Sequence, residues 1–245
     1  MPPRFYVPTA STTGSVVILP DDEAAHLIHV LRLQSGDPIG VFDGRGHEWS
    51  ARVTHISKSQ ARVQLEQAIT PIAEPGVAVT LAVAVLKGDK MDDVVRDAVM
   101  LGVTRVVALI SERIEIAPRL IERGQRVERW RRIAVASAKQ CGRSVVPDVE
   151  RPISVIEAVS APSSALRIML VEPGAGATAS RTLRDLPRAQ EATLFIGPEG
   201  GWATGEVEAA AAAGVQFATL GALTLRADAA PIVAITALRT VWGDL

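Results

Sequence analysis

Apolar and polar positions follow two rhythms along the chain, and the change comes near residue 73. Before it, short apolar runs at residues 5–7, 15–19, 38–42, 48–56 and 61–65, several of them alternating apolar with polar, are parted by turn sequences such as Asp43-Gly-Arg-Gly46. Alternation with a period of two turns one face of each strand toward a core. One helix interrupts the strands. Asp21 or Asp22 is placed to cap residues 23–33, Leu27, Val30 and Leu31 fall on one face, and Gln34-Ser-Gly36 ends it. The pattern predicts a small β-barrel with a single helix over residues 1–72.

Residues 70–76, Thr-Pro-Ile-Ala-Glu-Pro-Gly, form a natural linker, and a second domain is expected over residues 73–245. Here buried-strand runs alternate with helical patterns. Strands are predicted at 77–86, 105–110, 166–171, 192–196 and 215–220. Helices are predicted at 91–101, at 119–141 with an interruption near Gly124, at 204–213 and at 230–242. Trp130, Ile133, Ala134 and Ala138 mark the packed face of the long helix; Ile232, Ile235, Leu238, Val241 and Trp242 mark that of the last. Strands alternating with helices imply a parallel sheet, so the fold class is α/β.

The densest signal is Leu194-Phe-Ile-Gly-Pro-Glu-Gly-Gly201. A short buried strand runs into glycines and a proline that forbid its continuation and allow a ligand to approach bare backbone. Thr204 can cap the helix that follows, with Glu206 and Glu208 in its first turn, so the loop sits beside a positive helix end. This is how α/β proteins form a crevice at the carboxyl end of a strand. Glu199 is the only ionisable side chain in the loop. A second run, Leu223-Thr-Leu-Arg-Ala-Asp228, sets an arginine and an acid between two apolar segments, where Arg226 projects and Asp228 can cap the last helix.

Charge refines this picture. The 245 residues carry a formal net charge of -1, which argues mildly against a nucleic-acid partner. Yet residues 111–143 hold nine basic side chains against four acidic ones, mostly arginine, whose planar fork suits phosphate. A solvated helix face laced with Glu-Arg pairs would look the same. No apolar run reaches the eighteen or so residues of a membrane span, and Met1-Pro-Pro-Arg4 opens without a signal-peptide core, so a cytoplasmic protein without membrane contact is expected. The lone Cys141 excludes an internal disulfide and reads as a buried, inert thiol. His26 and His29 share a helix but lack further ligands at useful spacing, so no metal is expected. Gly174-Ala-Gly-Ala-Thr-Ala179 matches a dinucleotide fingerprint in letters. Its context fails, because no second strand ending in an acid follows about twenty residues on.

Ile196-Gly-Pro-Glu-Gly-Gly201 and Leu220-Gly-Ala-Leu-Thr-Leu-Arg-Ala-Asp-Ala-Ala230 together resemble the C-terminal signatures of the bacterial 16S ribosomal RNA uridine N3-methyltransferases, the small-subunit methyltransferase E family of the SPOUT class. The resemblance extends in order through residues 26–44, 87–103, Ser111-Glu-Arg113 and 129–143. It implies a PUA-like RNA-binding barrel followed by a SPOUT α/β domain tied into a trefoil knot, with S-adenosylmethionine as cofactor and a homodimer completed by the last helix and Trp242. It implies a cofactor site of Leu170, Glu172, the 196–201 loop (Ile196, Gly197, Pro198, Glu199, Gly200, Gly201), Leu220, Gly221, Leu223, Leu225 and Arg226. Arg32, Arg113, Arg129, Arg132, Gln140 and Arg143 are the candidate contacts to 16S RNA of the small ribosomal subunit, with Gln140 suited to a uracil edge. Arg226 is the candidate for stabilising negative charge on the uracil, and either Asp228 or Glu199 for taking its N3 proton. The family usually has Thr-Glu-Thr where this chain has Ala227-Asp228-Ala229, which removes two hydroxyls and shortens the carboxylate. A SPOUT enzyme acting on a ribose 2'-hydroxyl and an RNA-binding protein without catalysis remain the alternatives.

Overall fold

The computed structural model describes residues 2–117, 121, 125–173 and 181–245. The expected helix start and interruption at 119–124, apart from residue 121, and the fingerprint at 174–179 lie outside these residues. The chain forms two units: Met1–Glu74 with Val135–Val146, and Pro75–Ala134 with Pro147–Leu245.

In the first unit, strands β1 (Arg4–Tyr6), β2 (Val16–Ile18), β3 (Pro38–Phe42), β4 (Glu48–Ile56) and β5 (Ala61–Ile69) make one sheet in the order β1-β3-β4-β5-β2. β1 runs parallel to β3 and the other pairs are antiparallel. The period of two is visible in β5, where Ala61, Val63 and Leu65 are buried and Arg62, Gln64 and Glu66 are exposed. These meet Phe5, Val41, Val53 and Leu27 in one apolar core.

Helix α1 (Asp21–Ala25) departs from the expected pattern. It widens into a π-helical turn, His26–Leu31, and ends at Arg32 in the left-handed region with φ of 54°. Bonds that reach five residues back rather than four turn positions 30 and 31 off the face of Leu27. Leu27 is buried, Val30 is 65% exposed and Leu31 is exposed. Neither Asp21 nor Asp22 caps the helix; Pro20 occupies the cap position.

Residues 135–146 belong to this unit through polar contacts. Arg4 bonds both Glu48 carboxylate oxygens at 2.9 and 2.8 Å and the carbonyls of Ala138, Lys139 and Arg143. Ser144 donates a short bond to Glu48, and Lys139 meets Glu23 at 2.6 Å.

The second unit is a parallel sheet in the order β12-β10-β11-β6-β7-β8, from β6 (Ala78–Ala84), β7 (Arg105–Ile110), β8 (Asp148–Val149), β10 (Leu166–Leu170), β11 (Glu191–Ile196) and β12 (Gln216–Ala218). β9 (Ile153–Ser154) continues alongside β7. The helices are α2 (Lys90–Met100), α3 (Gln125–Cys141), α4 (Val155–Ser160), α5 (Thr204–Ala212) and α6 (Ala230–Val241); the division between units falls inside α3. β8, β9 and α4 are too short to register as periodic patterns.

Along α6 the buried stripe is Pro231, Ala234, Ile235, Leu238 and Arg239, followed by Trp242. Ile232 and Val241, expected inside, are exposed. The stripe keeps the expected direction, centred on Ile235, Leu238 and Trp242, and Ile232 and Val241 stand at its two flanks. Arg239, a residue that reads as polar surface, is 1% exposed; it donates to the carbonyls of Leu101 and Gly102 at 2.6 and 2.7 Å and pairs with Asp244 at 2.6 Å.

Candidate functional site

The carboxyl ends of three neighbouring parallel strands, β12, β10 and β11, open into one cavity of about 540 Å³. Three loops line it: 170–173 after β10, 196–202 after β11, and 220–227 beyond β12. Leu170, Glu172, the whole 196–201 loop, Leu220, Leu223, Leu225 and Arg226 all face this space; Gly221 and Asp228 do not line it. Apolar side chains and open glycine backbone in a cavity of a few hundred Å³ suit a nucleoside-sized ligand.

Two glycines owe their identity to close approach. A Cβ at Gly197 would lie 3.1 Å from the indole of Trp202, and one at Gly200 would lie 3.2 Å from the Arg113 carbonyl oxygen. Gly201, at φ of 68°, closes the turn with its N–H on the Pro198 carbonyl at 3.0 Å.

Contacts that the sequence did not signal hold the loops together. Trp202 Nε1–H donates to the Leu170 carbonyl at 2.8 Å, tying the end of β10 to the glycine loop. Glu206 is buried and accepts from Ser111 Oγ, Glu112 N–H and Ala203 N–H at 2.9–3.0 Å. It thus joins the end of β7 to the start of α5, whose cap position is Ala203 rather than Thr204. Arg113 Nη1 donates to the Gly200 carbonyl at 3.2 Å, and Lys90 at the head of α2 pairs with Glu199 at 2.9 Å. Beside them Lys87 and Glu115 pair at 2.9 Å, which holds the lysine pKa up and the carboxyl pKa down. A tryptophan directly after Gly-Gly and an acid at the third helical position were the available sequence clues.

Arg226 is exposed at the cavity edge, its side chain 77% accessible, with Nε 3.3 Å from Asp228 Oδ1. That oxygen is buried and accepts no hydrogen bond among the described residues. Asp228 does not cap α6, because the cap position is Ala229.

Of the six candidate RNA contacts, Arg113, Arg129 and Arg132 belong to the second unit and Arg32, Gln140 and Arg143 to the first. Arg113 lines the cavity itself. Arg129 is held by Asp89 at 3.1 Å and by Asp92, and shares a groove with Arg126, Arg132 and Gly88. Arg32 and Gln140 are exposed in the first unit. Arg143, a candidate RNA contact by sequence, is buried. It is 6% exposed, with its guanidinium on Glu74 at 3.0–3.1 Å. Among the described residues, no group of three His, Cys, Asp or Glu side chains has metal-site geometry, and no helix is long and apolar enough to cross a membrane.

Comparison with known proteins gives this geometry a family. Residues 73–239 match the RNA methyltransferase domain, and residues 19–66 the RNA methyltransferase PUA domain. The ribosomal RNA small subunit methyltransferase E of Synechocystis sp. is 32% identical over 244 residues, covering 97% of this chain and 77% of that protein. Its namesake from Buchnera aphidicola is 25% identical and covers 99% and 94%. The crystal structure of the Neisseria gonorrhoeae ribosomal RNA small subunit methyltransferase E bound to S-adenosyl methionine superposes with a TM-score of 0.89 at 34% identity, over 99% of this chain and 98% of that one.

Proposed function

Because the chain belongs to the RNA methyltransferase family, with its SPOUT-type catalytic domain behind a PUA-like domain, we propose that it methylates N3 of a uridine in the 16S ribosomal RNA of the small subunit, using S-adenosylmethionine. The observation that carries this reading is the three-loop cavity, in a chain that superposes along nearly its whole length on a relative bound to that cofactor. The residues fit the cofactor: Leu220, Leu223 and Leu225 offer apolar surface, residues 196–201 offer open backbone, and Glu172 offers an acceptor at the rim. When bound, the cofactor supplies a methyl group already activated on a sulfonium.

The chain's own task is the other partner. A uracil imide nitrogen is a poor nucleophile until its proton leaves, and the charge then spreads onto the flanking carbonyl oxygens. Arg226, exposed at the cavity edge, is assigned to those oxygens, where a cationic donor counts for most once water is excluded. Of the two candidate acids, Glu199 lines the cavity but is engaged by Lys90, whereas Asp228 stands just behind the lining beside Arg226, its side chain 31% exposed. We therefore assign the proton to Asp228 and loop support to Glu199.

The domains are proposed at 1–72 and 73–245, with residues 135–146 completing the first and a trefoil knot formed by the cavity loops. Exposed Leu223, Leu225, Ile232, Val233 and Val241 give an apolar surface on and beside α6 that supports a homodimer, while Trp242 is buried within its own protomer. Arg32, Arg113, Arg129, Arg132 and Gln140 are proposed to meet RNA, and Arg143 to act as internal support; the work would be done in the cytoplasm. The deciding experiment is transfer from labelled S-adenosylmethionine to undermethylated small subunits, followed by nucleoside analysis. Label in N3-methyluridine is expected. Label in another nucleoside would replace the target, and saturable cofactor binding without transfer to any RNA would replace the activity.

A further inference from the structure

A second built feature lies in the first unit, at the hairpin loop between β3 and β4. Asp43 sits there with its side chain 2% exposed. One oxygen, Oδ1, accepts the backbone N–H groups of Arg45 and His47 at 2.8 and 3.1 Å. The other, Oδ2, meets Arg45 Nε at 3.1 Å and His47 Nδ1 at 2.8 Å. Burial alone would raise the Asp43 pKa, and these bonds more than offset it, so the pKa is lowered. Both basic side chains are drawn to one oxygen and so lie side by side, yet each remains two-thirds exposed, at 66% and 67%. Arg45 Nη2 is further pinned to the Pro8 carbonyl at 3.2 Å. No hydrogen bond within the described residues takes up Arg45 Nη1 or His47 Nε2.

The backbone of the loop is equally fixed. Gly44 and Gly46 have φ of 79° and 97°, and a Cβ at Gly44 would lie 2.7 Å from the Tyr6 ring. Gly46 N–H donates to the Ser144 carbonyl at 3.0 Å, and Val146 N–H to the Gly44 carbonyl at 2.9 Å. A turn needs none of this to reverse a chain. A buried carboxylate with four donors, holding two exposed basic groups whose ordering entropy is already spent, is what a prearranged anion site requires.

We propose that Arg45 and His47 form a phosphate-binding fork for the RNA backbone, with Asp43 as its positioning residue. The proposal rests on the RNA substrate assigned above and adds a contact on the PUA-like unit outside the six candidates already named. Guanidinium and imidazolium side by side, His47 giving Nδ1–H to Asp43 and, when protonated, Nε2–H outward, suit adjacent oxygens of one phosphate, and the contact reads backbone rather than base sequence.

The test is binding of a small-subunit ribosomal RNA fragment across a salt series, for the full-length protein and two variants. Arg45→Ala/His47→Ala is expected to weaken binding about tenfold and to lower the slope of log affinity against log salt by about one, with cofactor affinity unchanged and the fold retained at a somewhat lower melting temperature, because Asp43 Oδ2 loses two donors. Asp43→Asn separates prearrangement from simple charge. Loss of a negative charge by itself would tighten RNA binding, whereas a fork that has lost its anchor binds several-fold more weakly. An unchanged slope in the double variant, or tighter binding by Asp43→Asn, overturns the proposal. Absence of salt-dependent RNA binding by the unsubstituted protein would overturn the RNA-substrate reading, and the fork with it; failure confined to the variants leaves that reading standing.

Discussion

Arg226 combines high exposure with a single weak ion pair, the state of a side chain that meets its partner only when substrate arrives. Arg226→Ala is expected to lower methyl transfer by at least a hundredfold, as loss of one charge-stabilising donor does, while calorimetry still detects cofactor binding. Retained turnover would remove its assigned role. Gly197 makes the opposite case, a residue defined by what it lacks. Gly197→Ala pushes a methyl group against the Trp202 ring at 3.1 Å, and the ring cannot retreat without breaking its bond to the Leu170 carbonyl. A cost of about 1–3 kcal/mol in denaturant unfolding is expected, with weakened cofactor binding. The glycine loop and Arg226 were legible in sequence because glycine density and an isolated charge between apolar runs are local signals. Trp202 and Lys90 were not, because their meaning comes from strand pairs, β10 with β11 and β6 with β11, that sequence distance separates and the sheet sets side by side.

Strands and helices were legible wherever a period repeats often enough. β3, β4 and β7 fall where alternation or a buried run placed them, whereas α1 and α6 bury residues that no period marks out or expose ones it would bury: a π-turn carries Val30 outward in one, and a bonded arginine lies inside the other. The caps show the same limit. Thr204 and Asp228 have the right chemistry for helix starts, but each helix begins one residue away, and α5 is instead secured by Glu206 reaching back from its first turn. Glu206→Ala removes the acceptor for the buried Ala203 N–H, the partly buried Glu112 N–H and a hydroxyl. It is expected to destabilise the protein by about 2 kcal/mol in chemical denaturation. Because Ser111 and Glu112 lead into Arg113, it should also lower cofactor affinity; a variant of normal stability and affinity would show that water replaces the carboxylate.

The first unit as a whole should be sensitive to acid. Burial raises the Asp43 and Glu48 pKa values, but bonds from the Arg45 and His47 backbone and side chains, and from Arg4 and Ser144, bring both below 3.8 and 4.5, their ordinary values. Carboxyls with depressed native pKa stabilise fully above the ordinary values and lose that contribution as pH falls through the native ones. Glu23, raised by burial despite Lys139, acts in the opposite sense and is relieved as pH falls. Melting temperature followed by circular dichroism should therefore drop steeply below about pH 4, and less steeply in Glu48→Gln; identical slopes would remove the Arg4–Glu48–Ser144 network from the explanation. The chain crosses between the units three times: first beside Pro75 and Gly76, then inside α3, and last at a lone Pro147, and neither of the later two is set off by a linker-like run. They depend on Arg4, Glu23, Glu48 and Glu74 finding partners some seventy to one hundred and forty residues away. That arrangement governs inheritance as well as stability. A gene fragment ending at codon 74 transmits a barrel without the segment that neutralises its buried charges, so one crossover cannot exchange this RNA-binding module between relatives. A transplant must carry residues 135–146 along with it, which ties the two halves of the gene into a single unit of descent.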